Sequence, residues 1–282
     1  MSGEPRIEVL ADPEETSRAA ATAIADALAD AVARRGRADW ATTGGSTPVG
    51  IYRELSVAPL RDRVPWRDVH VWWGDDRYVP RDHPLSNVLP LDQVLVSAAA
   101  RAGLSGTGEY AVDVESGVEP GVPLPPGNIH APRMGDGIGL AAGPEWVAKE
   151  YADRLRDAGL PASDRGFPIL DVMLVGVGAD GHVLSVFPRS ALFESEAWVD
   201  AVPAPTHIEP HVARISLHPG FLDAARFPIL VAHGAGKAEI MAALVGAERD
   251  VRRWPAQLAR REGAVWFLDR AAAANLPPSL RG

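Results

Sequence analysis

The chain has 282 residues, 46% of them hydrophobic and 23% charged, a composition of a water-soluble globular protein with enough chain for a sizeable core. It contains no cysteine, which excludes disulfides, thiolate nucleophiles and cysteine-ligated metal clusters. A net charge of −9 argues against general nucleic-acid binding, so an anionic ligand would need a local cluster of cations and helix N-termini.

Met1 to Pro5 has neither a basic start nor an apolar core, so no signal peptide is evident, and no apolar run approaches the roughly 20 residues of a membrane span. A cytoplasmic location without membrane partners is expected. Ile7 to Leu10 predicts a first strand. Asp12-Pro13-Glu14-Glu15 then supplies a cap, a first-turn proline and acids, and Ala20, Ile24, Leu28 and Ala31 follow at helical spacing up to Gly36.

Ala38 to Thr42 predicts a second strand, followed by Thr43-Gly44-Gly45-Ser46-Thr47-Pro48 and a helix from Val49 to Leu55. Strand, two glycines, two hydroxyls and a helix start make a cradle for phosphate, because backbone N–H groups point outward there. The plain alternative is a tight turn in which Ser46 or Thr47 caps the helix. No lysine completes a nucleoside-triphosphate loop, and Pro48 stands where a serine-hydrolase elbow needs glycine.

Val69 to Trp73 predicts a third strand, and Asp75, Asp76 and Arg77 leave it. Arg77 could hold a phosphate or a developing oxyanion with Asp75 or Asp76 orienting it, against the alternative of a surface ion pair. Ser86-Asn87 leads into an expected apolar helix from about Val88 to Ala100. Arg101 to Gly127, rich in glycine, proline and acid, reads as a long surface excursion that could close over a site. A helix opens at Pro144 and ends near Gly159.

Ile169 to Val175 predicts a buried strand, ending in Gly176-Val177-Gly178-Ala179-Asp180-Gly181-His182. A histidine two residues from a carboxylate can act as a general base near neutral pH with its tautomer fixed; a solvated surface turn is the alternative. The glycines fit a dinucleotide fingerprint, but Val183, Val186 and Pro188 oppose the helix that fingerprint requires. His207 and His211 have the spacing of a helical zinc site, which Pro210 between them forbids. Arg214 to Leu217 and Phe227 to Ala232 predict strands, and Lys237 in a glycine-flanked turn is a second candidate anion ligand. Trp254 to Arg261 is expected to be helical, Val265 to Leu268 a last strand, and Asp269 the cap of a last helix. Alternating strands and helices with no linker imply one α/β domain over 1–282, with a mainly parallel sheet covered on both faces.

In this order, Thr43 to Pro48, Gly74 to Pro80 with Ser86-Asn87, Gly127 to His130, Gly176 to Pro188, Arg214 to Leu217 and Gly236-Lys237 closely resemble the 6-phosphogluconolactonases, whose superfamily includes glucosamine-6-phosphate deaminase. The resemblance implies a modified Rossmann-like three-layer sandwich and hydrolysis of a small phosphosugar lactone, 6-phosphoglucono-1,5-lactone, without metal or cofactor. Carried onto this chain, His182 would be the general base, Asp180 its support and Arg77 a catalytic cation. Gly44, Gly45, Ser46, Thr47, Asp75, Arg214 and Lys237 would bind substrate. The family usually has Glu at Asp76, Thr-Ala at Val183-Leu184 and glycine at Arg189, so one supporting hydrogen bond and the charge at the mouth differ here. A sugar-phosphate isomerase or deaminase, or a sensor that has lost catalysis, are the competing readings. Oligomeric state, monomer or small homo-oligomer, is not legible.

Overall fold

The computed structural model describes residues 3–97 and 121–281. In chain order its strands are β1 (Arg6–Leu10), β2 (Ala38–Thr42), β3 (Val69–Trp73), β4 (Asp75–Arg77), β5 (Val172–Val175), β6 (Val199–Val202), β7 (Arg214–Leu217), β8 (Phe227–Ala232) and β9 (Val265–Asp269). Its α-helices are α1 (Pro13–Arg35), α2 (Thr47–Leu55), α3 (Leu60–Arg63), α4 (Met134–Gly139), α5 (Gly143–Asp157), α6 (Gly220–Ala224) and α7 (Ala238–Gly246).

Six strands form one sheet in the order β1-β9-β8-β5-β2-β3, and every neighbouring pair is parallel. Its strands alternate between two cores. On one side Trp40, Val172, Leu174, Ile229 and Phe267 meet α1 and α2 through Ile24, Leu28, Ile51 and Leu55. On the other, Met173, Val175, Leu230 and Trp266 meet α5 through Val147, Tyr151 and Leu155. Helices therefore cover both faces, the α/β three-layer arrangement the resemblance implies. All four residues of β5 are buried, as a strand covered on both faces requires.

Local chemistry sets the element ends. The Asp12 side chain accepts from the Glu15 N–H at 2.9 Å at the start of α1, and Gly36 closes that helix in the left-handed region at φ 75°.

The structure departs from expectation in four places. The charged exit from β3 is not a surface ion pair: Asp75 to Arg77 is a strand of a second, antiparallel sheet, β4-β7-β6, with Asp75 and Asp76 buried. Of the helix expected to run to Ala100, the described part is a short turn over Leu91–Leu95, after which Val96, buried and extended, bridges Val122; residues 98–100 lie outside the described part. Of the expected excursion, residues 101–120 lie outside the described part, while Val122 and Leu124 are fully buried rather than exposed. Finally, Asp269 accepts from Ala272 N–H at 2.7 Å but also from Gly234 N–H at 2.9 Å, and turns rather than a helix follow it. Pro277 and Pro278 come too soon for helical hydrogen bonds to accumulate.

No helix among the described residues is long and apolar enough to cross a membrane.

Candidate active site

In parallel sheets, ligands gather beyond the carboxyl ends of the strands. Here the exits of β2, β5 and β8 and the second sheet enclose a cavity of about 330 Å³. Gly44 to Thr47, Asp75, Arg77, His182, Arg214 and Lys237 all line it. Asp180 is the one proposed site residue behind the wall, reached through His182.

The turn after β5 explains how an acid and an imidazole come to share this place. Gly181 adopts φ 84°, its N–H donates to Gly178 O at 3.0 Å, and Gly178 N–H donates to His182 O at 2.9 Å. The loop folds back on itself, and no helix starts at Gly181. His182 Nδ1 lies 2.6 Å from Asp180 Oδ1, and the His182 backbone N–H donates to the same oxygen at 3.1 Å. A side chain at 178 would not fit: its Cβ would stand 2.0 Å from His182 Nδ1 and 2.5 Å from Asp180 Oδ1. Burial alone would raise the Asp180 carboxyl, but hydrogen bonds and charge from His182, with a further bond from His207, hold it well below the usual carboxylate range. With Asp180 on Nδ1, the imidazole's Nε2 is the nitrogen left for a ligand.

After β2, Gly45 takes φ 76° and turns the chain into α2, whose first turn opens onto the cavity. Ser46, at the cap position, makes no side-chain bond to the helix backbone, and Thr47 is the first residue of the helix. Gly44 has a second constraint: a Cβ there would meet Asn87 Oδ1 at 1.7 Å.

The cations come from the second sheet and from the turn after β8. Arg77 and Arg214 are direct partners across the β4–β7 pair, an arrangement that like charges disfavour unless an anion lies between them. Each has a buried Nε without a hydrogen-bond partner. Arg77 Nη1 donates to Leu85 O at 2.8 Å, and Arg214 Nη2 to Pro210 O at 3.1 Å. Arg214 is 2% exposed; burial pulls its pKa below the ordinary value, Asp75 and Asp180 oppose that pull, and Arg77 reinforces it. Lys237 donates to Val177 O at 2.7 Å, and burial lowers its pKa against the attraction of Asp180.

Asp75 does not orient Arg77 by a side-chain bond. Its Oδ2 accepts from Ser185 Oγ at 2.6 Å and its Oδ1 from Asn87 Nδ2 at 3.2 Å, tying the β4 strand to the residues after His182. Asp76 lies behind the wall, where its Oδ1 accepts the Asn87 and Arg77 backbone N–H groups at 2.7 and 2.8 Å.

Sequence reasoning missed several residues here. Asn87 lines the cavity, Ser185 anchors Asp75, and His233 lines the cavity beside Lys237, roles that no local motif announces. His207, considered only for zinc, places Nε2 at 2.9 Å from Asp180 Oδ2. Its segment is not helical, and the Glu209–Pro210 bond is cis. Leu184 lines the wall at φ 56°, with its side chain against Gly74.

Comparison with known proteins agrees with this architecture. The chain is 33% identical over 281 residues to a 6-phosphogluconolactonase of Streptomyces coelicolor, covering 99% of this chain and 98% of that one. It is 32% identical over 272 residues to one of Mycobacterium tuberculosis, covering 96% and 98%. The solved 6-phosphogluconolactonase of Trypanosoma brucei superposes with a TM-score of 0.78 at 25% identity, covering 98% of this chain and all of that one. A monomeric glucosamine-6-phosphate deaminase superposes with a TM-score of 0.71 at 16% identity, covering 96% and 99%, which speaks for the shared fold alone. The family described as glucosamine-6-phosphate isomerases/6-phosphogluconolactonase matches residues 11–267, and the chain belongs to it.

Proposed function

We propose that this protein hydrolyses 6-phosphoglucono-1,5-lactone to 6-phosphogluconate, with His182 as general base. The observation that carries the reading is the convergence on one cavity of an Asp-supported imidazole, three cations and an open helix N-terminus. A phosphorylated lactone needs this combination: a base at one end, and anion-binding groups at the other.

The steps follow from that arrangement. Water beside His182 Nε2 attacks the lactone carbonyl carbon and gives its proton to that nitrogen. The carbonyl electrons move to oxygen, and a cation or N–H donor stabilises the oxyanion. Collapse of that intermediate breaks the bond to the ring oxygen, which takes the proton back from the imidazolium. Asp180 holds Nδ1–H throughout and stabilises the charged ring. A lactone is an activated ester, so positioning and one base suffice without a covalent nucleophile. Arg214 and Lys237 hold the phosphate and Arg77 neutralises developing charge, assisted by the N–H groups of Gly44 to Thr47.

The test is acid release from freshly generated 6-phosphogluconolactone, measured against spontaneous hydrolysis. A rate well above buffer supports the reading. A rate equal to buffer overturns it, and ammonia release from glucosamine 6-phosphate would assign the site to deamination instead.

A further inference from the structure

Asp180 carries two imidazoles rather than one. Its Oδ1 accepts both hydrogen bonds from His182, and its Oδ2 lies 2.9 Å from Nε2 of His207, a half-exposed residue on the connection between β6 and β7. Phe187 fills the space between the two rings, 4.8 Å from His182 and edge-to-face with His207 at 5.5 Å. The connection is itself anchored to the site. His211 Nδ1 lies 2.6 Å from Pro205 O, Arg214 donates to Pro210 O, and Ile208 and Glu209 line the cavity.

A carboxylate held at one oxygen can still swing about its last torsion, which is a soft, broad one. Asp180 is partly exposed, so water would otherwise take Oδ2 and leave that freedom intact. We propose that His207 is a positioning residue for lactone hydrolysis: its Nε2–H locks Asp180 Oδ2, keeps Oδ1 on His182 Nδ1, and so fixes the tautomer whose Nε2 receives the water proton. The inference rests on the reading of His182 as base. Neutral or charged, His207 can donate from Nε2, so the lock needs no change of protonation. The donated bond also weakens the pull of Asp180 on the His182 proton. Without it Asp180 would favour imidazolium more strongly, and the acid limb of the rate profile would move to higher pH.

Two variants separate donor from bulk. His207→Phe keeps a ring against Phe187 and removes the donor; His207→Gln restores an N–H near the position of Nε2. In the lactone assay, His207→Phe should lose about tenfold in kcat, the low end of what outer partners of functional histidines contribute. Its KM should stay within about twofold, its acid limb should shift upward, and His207→Gln should recover most of the rate. An unchanged kcat and pH profile in His207→Phe overturns the proposal, as does a change confined to KM. Should the wild-type protein lack lactonase activity, the functional reading fails, and proton NMR decides this inference separately. The His182 Nδ1–H, bonded over 2.6 Å, should resonate far downfield. Loss or broadening of that signal in His207→Phe, with retention in His207→Gln, supports the lock; an identical signal in both overturns it.

Discussion

His182 owes its position to glycines that admit no substitute and to an acid two residues away, and its replacement is the most direct probe of the proposed chemistry. His182→Ala should lower kcat by roughly two to four orders of magnitude, the span of a general base, with the fold intact by circular dichroism. Asp76 supports a different prediction. Burial pushes its carboxyl up to about 7, against the backbone N–H groups of Asn87 and Arg77, which favour the charged form; nearby Asp75 adds to the rise. An acid with a folded pKa above its unfolded value contributes stability that is fully present below about 4 and is lost as pH climbs through about 7. Asp76→Asn keeps an oxygen for both N–H donors and removes the titration. Its melting temperature should therefore fall less than that of the wild type between pH 5 and pH 8. Scanning calorimetry at the two pH values checks this, and parallel curves would refute it.

The turns between elements carry what the periodicity of the chain does not. Asp12, Pro13 and Gly36 announce α1 because caps and helical spacing are local signals, and short apolar runs mark the strands of the large sheet, unbroken in β5 and interrupted by Asp39 in β2 and His70 in β3. Of the second sheet only Arg214 to Leu217 was legible as a strand. Asp75-Asp76-Arg77 becomes one only because it pairs with that segment across a long stretch of chain, and buried charge in a strand is the opposite of the usual pattern. The same non-locality hid the contact of His207 with Asp180. Arg189 sits at φ 60° and donates its N–H to Arg252 O at 2.6 Å. A left-handed arginine costs about 1–2 kcal/mol, partly offset by the entropy glycine adds to the unfolded chain. Arg189→Gly should accordingly stabilise the protein by about 1 kcal/mol or less, read as a rise in the urea midpoint with an unchanged slope. A fall in the midpoint would show the strain to be relieved elsewhere.

For the molecule as a whole, the cavity joins groups from two sheets, so a bound anion is a cross-link between them. Inorganic phosphate or 6-phosphogluconate should raise the melting temperature through linkage, by about 2.7 kcal/mol of stability at a hundredfold excess over Kd. Arg214→Ala should abolish most of that gain and raise the KM for the lactone. A full shift in the variant would place the anion elsewhere. How far the candidate site could be read follows the same division. His182, Asp180, Lys237 and the Gly44 to Thr47 turn each lie within a short, distinctive stretch, whereas Asn87 and His233 acquire meaning only once the loops converge.

Gly74 connects β3 to β4: its N–H donates to Thr42 O in one sheet and its carbonyl accepts from Leu217 N–H in the other. That joint ties the sheet that carries the His182 turn to the one that carries Arg77 and Arg214, and the Leu184 side chain lies against it. On the proposed reading, the distance between base and anion ligands then selects substrates by length. A sugar acid lactone one carbon shorter would have its charged end seated while its carbonyl fell short of the attacking water. Such a molecule should occupy the protein as a competitive inhibitor and leave it unchanged.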